Sequence, residues 1–254
     1  MKRVIANLFV VFLFSILQRA FGQSFDNLDF EQASVYPASP GYVPWDASSA
    51  ISADYALPYW TVMEDGTICD AVSRPPYALD ETYVGLVSPG YSPIEGSYSV
   101  QLSAYADAPS GYFRSSSISQ TGVIPFGTHS IQFLIARQAG LVQSGPLVIV
   151  NGTPISLIEL SQSGGVSAMA GDISAFAGTT ATVSFVCQAE TGGGFVSGEN
   201  IFNLDSIQFS PESVPEPTTV ALLGVGVAIF GWYFAKRRNT SSKSMTSGAG
   251  HSPS

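Results

Sequence analysis

Through its central part the chain alternates apolar and polar positions with a period of two. Tyr98, Val100 and Leu102 share one parity, as do Ile131, Phe133 and Ile135, and again Val183, Phe185 and Cys187. Successive side chains of a strand point to opposite faces, so each set predicts a strand buried on one side. Residues 147–150 and 154–160 flank Asn151-Gly152, a pair suited to the positive φ angles of a tight hairpin turn. No stretch between the two chain ends sustains an apolar repeat of three to four. Short strands of this kind, in a chain with 25 glycines and 16 prolines, predict an all-β domain built as an antiparallel β-sandwich. The last strand carries a fault: Phe202 and Leu204 have one parity, Ile207 and Phe209 the other. A bulge at Asp205-Ser206 returns all four to the core.

The two ends follow a different rule. Lys2 and Arg3 precede a nearly unbroken apolar run over residues 4–17, and Ala20-Phe21-Gly22 then offers small residues where a signal peptidase cuts. Residues 1–22 are therefore expected to be a signal peptide, with cleavage before Gln23. Residues 218–235 form a second apolar run, about 27 Å long as a helix and just sufficient for the hydrocarbon layer. Trp232 and Tyr233 stand at its end and Lys236-Arg237-Arg238 follow, so the basic side stays in the cytoplasm and the domain lies outside. The polar residues 239–254 are expected to be disordered. The ectodomain is then residues 23–212, long enough for one well-buried core.

Charge narrows the function. Nineteen carboxylates lie between Asp26 and Glu216 against three arginines and no lysine, a balance of −16. Such a surface repels phosphate backbones, which excludes nucleic acid as a partner. It attracts divalent cations, although acidity also serves solubility alone.

Val214-Pro215-Glu216-Pro217, followed by the apolar run and the arginine cluster, resembles the PEP-CTERM sorting signal over residues 213–238. The resemblance implies an exopolysaccharide-producing diderm bacterium and processing by an exosortase-type membrane protease. Pro215, Glu216, Pro217, Arg237 and Arg238 would carry the signal. A transient inner-membrane stage would precede release or transfer to the outer envelope or matrix. Such tails usually end soon after the arginines, whereas this one continues for sixteen residues; a permanent single-pass anchor is the rival expectation. The opening residues 27–31, read as a strand, the run 172–178 and the ending 204–209 resemble galactose-binding-like, carbohydrate-binding jelly rolls.

Several side chains then become candidates. In modules of the resembled kind the first and last strands lie close and often share a structural calcium. Asp29 and Glu31 on one face of the first strand, with Asp205 displaced by the bulge, would supply oxygen ligands for it; the alternative is a solvated edge and a capped turn. Aromatic residues crowd the proline-punctuated region from Tyr36 to Tyr91. Tyr42 and Trp45 are expected to be exposed and able to stack on sugar rings, while Trp60 belongs to the core. The same aromatics would equally serve to anchor loops. Cys69 and Cys187 are too few for a zinc site and are expected to form a disulfide, with two unpaired thiols as the alternative. His129, the one histidine of the ectodomain, is expected at the rim of the core rather than as a general base. No Gly-x-Ser-x-Gly elbow is present, and Gly192-Gly193-Gly194 lacks the following lysine of a phosphate loop. An enzyme is not expected. The function classes in play are a glycan-binding or matrix-associated surface module, a structural or adhesive envelope protein, and, distantly, a secreted glycosidase.

Overall fold

Alternation decides where the strands lie. The computed structural model describes residues 24–35, 50–73, 83–107, 112–137, 145–188 and 198–214. In chain order the elements are β1 (Ala50–Ser52), α1 (Ala53–Ala56), β2 (Thr61–Glu64), β3 (Thr67–Ile68), β4 (Ala71–Ser73), β5 (Val84–Val87), β6 (Ser99–Asp107), β7 (Tyr112–Arg114) and β8 (Ser116–Val123). They continue with β9 (Ser130–Arg137), β10 (Leu147–Val150), β11 (Thr153–Ile155), β12 (Leu157–Ser163), β13 (Val166–Asp172), a single 3₁₀ turn (Ser174–Phe176), β14 (Thr180–Cys187) and β15 (Gly198–Ser210). Sheet I runs β1-β4-β5-β6-β15-β9-β13-β12, with β7 paired to β6; sheet II runs β11-β10-β14-β8-β2-β3. The compact unit that holds them ends at Val214.

Ile131, Phe133 and Ile135 from sheet I and Val183, Phe185 and Cys187 from sheet II face inward, all at most 2% exposed; of the third set Val100 and Leu102 are fully buried, while Tyr98 stands just before β6 and is half-buried against the core. Their buried faces share one core. A chain of rings crosses it: Phe133 meets Phe185 edge-on at 5.2 Å, Phe185 meets Trp60 at 6.3 Å, and Trp60 meets Phe30 at 5.7 Å. Aromatic pairs at such separations and tilts add to the transfer energy of their large surfaces. The hairpin at Asn151-Gly152 joins β10 to β11, with both residues at positive φ. The bulge in β15 is also present. The register against β9 shifts between Asp205 and Gln208, and Ser206 has φ +51. Phe202, Leu204 and Ile207 are buried and Phe209 packs against the core.

Four expectations are corrected. Residues 27–31 form turns, not a strand. Asn27 and Phe30 have positive φ, the Phe30 N–H donates to the Asn27 carbonyl, and the Asn27 side chain accepts from the Gln32 N–H. An asparagine that caps its own turn withdraws those groups from any ladder. The pairing is not wholly antiparallel, because β4 and β5 run parallel at Ser73–Gly85. Cys69 and Cys187 are free thiols. Cys187 ends β14, whereas Cys69 follows β3, three strands away across sheet II. At the usual strand spacing that is roughly 14 Å, twice the Cα separation a disulfide tolerates. His129 is exposed rather than part of the core rim. Among the described residues no helix is long and apolar enough to cross a membrane. The expected signal peptide, apolar run 218–235, basic stop and tail lie outside the described residues.

Candidate functional site

The cleft of interest opens where the edge strands of the two sheets, β1 and β3, come together. Ala53, directly after β1, donates its N–H to the Asp70 carbonyl at 2.8 Å, and the Cys69 N–H donates to the Val62 carbonyl at 2.9 Å. The first bond holds the start of α1 against the segment joining β3 to β4, and the second ties that segment to β2. The cavity they leave, about 330 Å³, is lined by Asp54, Trp60, Thr61, Ile68, Cys69 and Asp70, with Ser52, Ala53 and Val62 behind them. Its polar groups among the described residues are carboxylates, hydroxyls and one thiol, with no cation among them. Burial and the nearby Glu64 carboxylate push the Cys69 thiol up to about 11, so it stays protonated at neutral pH and is a poor nucleophile.

Large apolar side chains are exposed in and beside this cleft. Ile68, which lines it, is 65% exposed. Tyr55 and Tyr59, the chain neighbours of the lining residues Asp54 and Trp60, are 54% and 55% exposed. Tyr59 sits in a turn closed by the Trp60 N–H on the Leu57 carbonyl, with Pro58 at the second position and Tyr59 itself, φ +73, at the third. That is the pattern of a type II turn, whose third position is normally glycine or asparagine. A tyrosine there carries a Cβ clash that costs about 1–2 kcal/mol.

The residues singled out from sequence are placed as follows. Glu31 Oε1 accepts the N–H groups of Ser97 and Tyr98, and Gly96 at φ +56 leaves the room for that carboxylate. Asp29 Oδ1 accepts from the Glu31 N–H at 3.3 Å. Asp205, 1% exposed, accepts from the Glu95 N–H and the Ser99 hydroxyl on one oxygen and from the Ser206 N–H on the other. Glu31 and Asp205 thus reach the same loop between β5 and β6, and each carboxylate is taken up by protein donors. Among the described residues no group of three or more His, Cys, Asp or Glu is arranged to hold a metal ion. Trp60 is core, 6% exposed, as expected. Tyr42, Trp45 and the sorting residues Pro215, Glu216, Pro217, Arg237 and Arg238 lie outside the described residues. Sequence reading included Tyr55 and Tyr59 in the aromatic crowd but favoured Tyr42 and Trp45 for exposure. It also passed over Asp54, Asp70 and Thr61. The one signal for Tyr59 was Pro58 before it, which announces a turn.

Residues 213–238 match the family model of the PEP-CTERM protein-sorting motif, so the chain carries the sorting signal of an exosortase-processed surface protein. Among solved structures the chain is similar to TmCBM61 in complex with beta-1,4-galactotriose, with 13% identity, a TM-score of 0.38, and coverage of 75% of this chain and 99% of that one. A second similar structure comes from work on the promiscuous specificity of carbohydrate-binding modules of the β-sandwich superfamily. It shares 9% identity with a TM-score of 0.37, over 62% of this chain and 59% of that one. No curated protein matches the chain in sequence.

Proposed function

We propose that the chain is an exported envelope protein whose ectodomain, a jelly-roll β-sandwich, binds neutral glycans such as the producer's exopolysaccharide at the cleft between β1 and β3. The observation that carries this reading is the exposure of Ile68 in a cleft of carboxylates and hydroxyls, with the exposed Tyr55 and Tyr59 next in the chain to its lining residues Asp54 and Trp60. Aromatic faces stack on sugar rings, and acceptors beside them take the ring hydroxyls. The lack of any cation in the lining, on a domain of net −16, favours uncharged over uronic-acid polymers. We expect full-length protein in detergent to show saturable binding, followed by tryptophan fluorescence, to neutral gluco-, galacto-, manno- or xylo-oligosaccharides of four to six units. Polygalacturonate should bind at least 10-fold more weakly at low salt. Binding to none of the neutral oligosaccharides sinks the reading, and release of reducing ends would replace it with a glycosidase.

The sorting signal makes a separate prediction. Replacing Pro215, Glu216 and Pro217 with alanine should leave the protein unprocessed in the inner membrane, read by fractionation and by the mass of the envelope form. Unchanged processing would favour a permanent anchor.

One observation favours the adhesive alternative. Cross-strand partners on the outer face of sheet II form the rows Thr61-Ser119-Ser184-Ile149-Pro154 and Ile68-Met63-Ser117-Val186-Leu147. Neither row holds an ionised side chain. A flat uncharged face suits a protein contact. Oligosaccharides that fail to bind, together with sedimentation as a dimer, would move the assignment there.

A further inference from the structure

We propose that Tyr59, next in the chain to the cleft-lining Trp60, contacts the ligand from beside the cleft, and that Gln120 and Asn27 are positioning residues that hold it outward in its left-handed backbone conformation. This deepens the glycan reading above and rests on it.

The φ and ψ of Tyr59 are set by how its two flanking peptides are turned. Each peptide is gripped by a buried amide. The carbonyl of Pro58 accepts from Asn27 Nδ2 at 3.3 Å, and the carbonyl of Tyr59 accepts from Gln120 Nε2 at 3.2 Å. Both amides are 4% exposed and both are themselves fixed. Gln120 points inward from β8, where its Oε1 accepts the Asp26 N–H at 2.7 Å and its Nε2 also donates to the Asp26 carbonyl at 3.0 Å. Asn27 Oδ1 accepts from the Gln32 N–H at 2.9 Å, and the Asn27 carbonyl accepts from Trp60 Nε1 at 3.0 Å. The fold therefore spends two buried side-chain amides and an indole N–H to keep a tyrosine where glycine fits without strain.

The residue so displayed is 55% exposed. Backbone strain held by surrounding structure clusters at ligand sites, and of the two described aromatic residues at positive φ, Phe30 is buried in the core while Tyr59 is turned to solvent. The clamp also ties the site to residues 24–27.

The test compares Tyr59→Gly, Tyr59→Ala and Tyr59→Phe in the full-length protein, using the neutral oligosaccharides named above. Both Tyr59→Gly and Tyr59→Ala should lose 10-fold or more in affinity, while Tyr59→Phe stays within a few-fold of the parent. Tyr59→Gly should melt about 2–4 °C above Tyr59→Ala, the reverse of the usual order for these residues, because only glycine relieves the positive φ. Gln120→Met should weaken binding several-fold in the parent but leave the Tyr59→Gly variant's affinity unchanged, the non-additivity expected of coupled residues. Equal affinity of Tyr59→Gly and the parent overturns this inference alone and leaves the glycan reading standing. So does an equal loss from Gln120→Met in both backgrounds, since a merely structural glutamine would act that way. Tyr59→Ala melting at or above Tyr59→Gly removes the strain argument. A parent protein that binds none of the oligosaccharides overturns both readings together.

Discussion

Phe185→Ala is expected to destabilise the domain by about 4 kcal/mol, lowering its melting temperature by roughly 10 °C. Phe185 is fully buried on β14 of sheet II, with the Phe133 ring of sheet I edge-on to it at 5.2 Å and Trp60 at 6.3 Å. Truncation removes the transfer energy of the ring and leaves a void between two sheets whose strands cannot collapse into it, so the cavity cost adds to the transfer cost. It also breaks two ring–ring contacts, each worth about 0.5–1.5 kcal/mol beyond area. Against a typical domain stability of about 5–15 kcal/mol, the loss is a large fraction of the total. Phe126→Ala is the internal control: this ring is 87% exposed on the β8–β9 loop, and its removal should change stability by no more than about 0.5 kcal/mol. Urea unfolding of both variants decides the matter. Equal small losses would mean that Phe185 does not bridge the two sheets.

That bridge was legible in the sequence. Period-two alternation put Phe133 and Phe185 on buried faces, and the parity change between Leu204 and Ile207 required a bulge where Ser206 supplies it. Asn151-Gly152 announced its hairpin because few other pairs accept two positive φ angles. What alternation could not carry was anything decided by a side chain bonding to its own backbone. Leu28 and Phe30 alternate as a strand would, yet Asn27 takes the Gln32 N–H and turns the segment. Val84–Val87 is buried at every residue, so it offered no phase from which to read its neighbour, and its parallel partner β4 went unseen. The cysteines were paired on compartment chemistry, while their separation depends on strand order, which alternation leaves open. The site was the least legible part. An aromatic crowd is visible from Tyr36 to Tyr91, but which rings face water depends on a turn that puts Tyr59 where glycine is usual. It depends equally on Gln120, a glutamine at an inward position of β8 that reads as an exception until its partners are known. Asp54 and Asp70 come to line one cleft where the Ala53 N–H reaches the Asp70 carbonyl.

Asp205→Ala should cost about 3 kcal/mol at pH 7, and the loss should grow as the pH falls. The wild-type carboxylate satisfies three donors, the Glu95 N–H of the β5–β6 loop, the hydroxyl of Ser99 at the start of β6 and the Ser206 N–H at the bulge. Truncation leaves the buried Ser99 hydroxyl and the part-buried Glu95 and Ser206 N–H groups without their acceptor, at roughly 1 kcal/mol each. The pH dependence follows from burial, which raises the Asp205 pKa above its ordinary carboxylate value despite those hydrogen bonds, the nearby Glu95 charge adding to the rise. A folded-state pKa above the unfolded one means that the folded state binds the proton more tightly. The contribution of Asp205 is then fully present below the unfolded value, near 4, and declines as pH rises through the raised folded value. Glu64, also raised chiefly by burial, acts in the same direction. An ordinary salt-bridged aspartate behaves the opposite way, losing its contribution on acidification. Urea unfolding of wild type and Asp205→Ala at pH 7 and pH 5 separates the two cases. A gap between the proteins that widens at pH 5 fits a carboxylate held against its own charge. A gap that narrows would mean that the three donors outweigh burial and that Asp205 belongs with the stabilising anions of the fold.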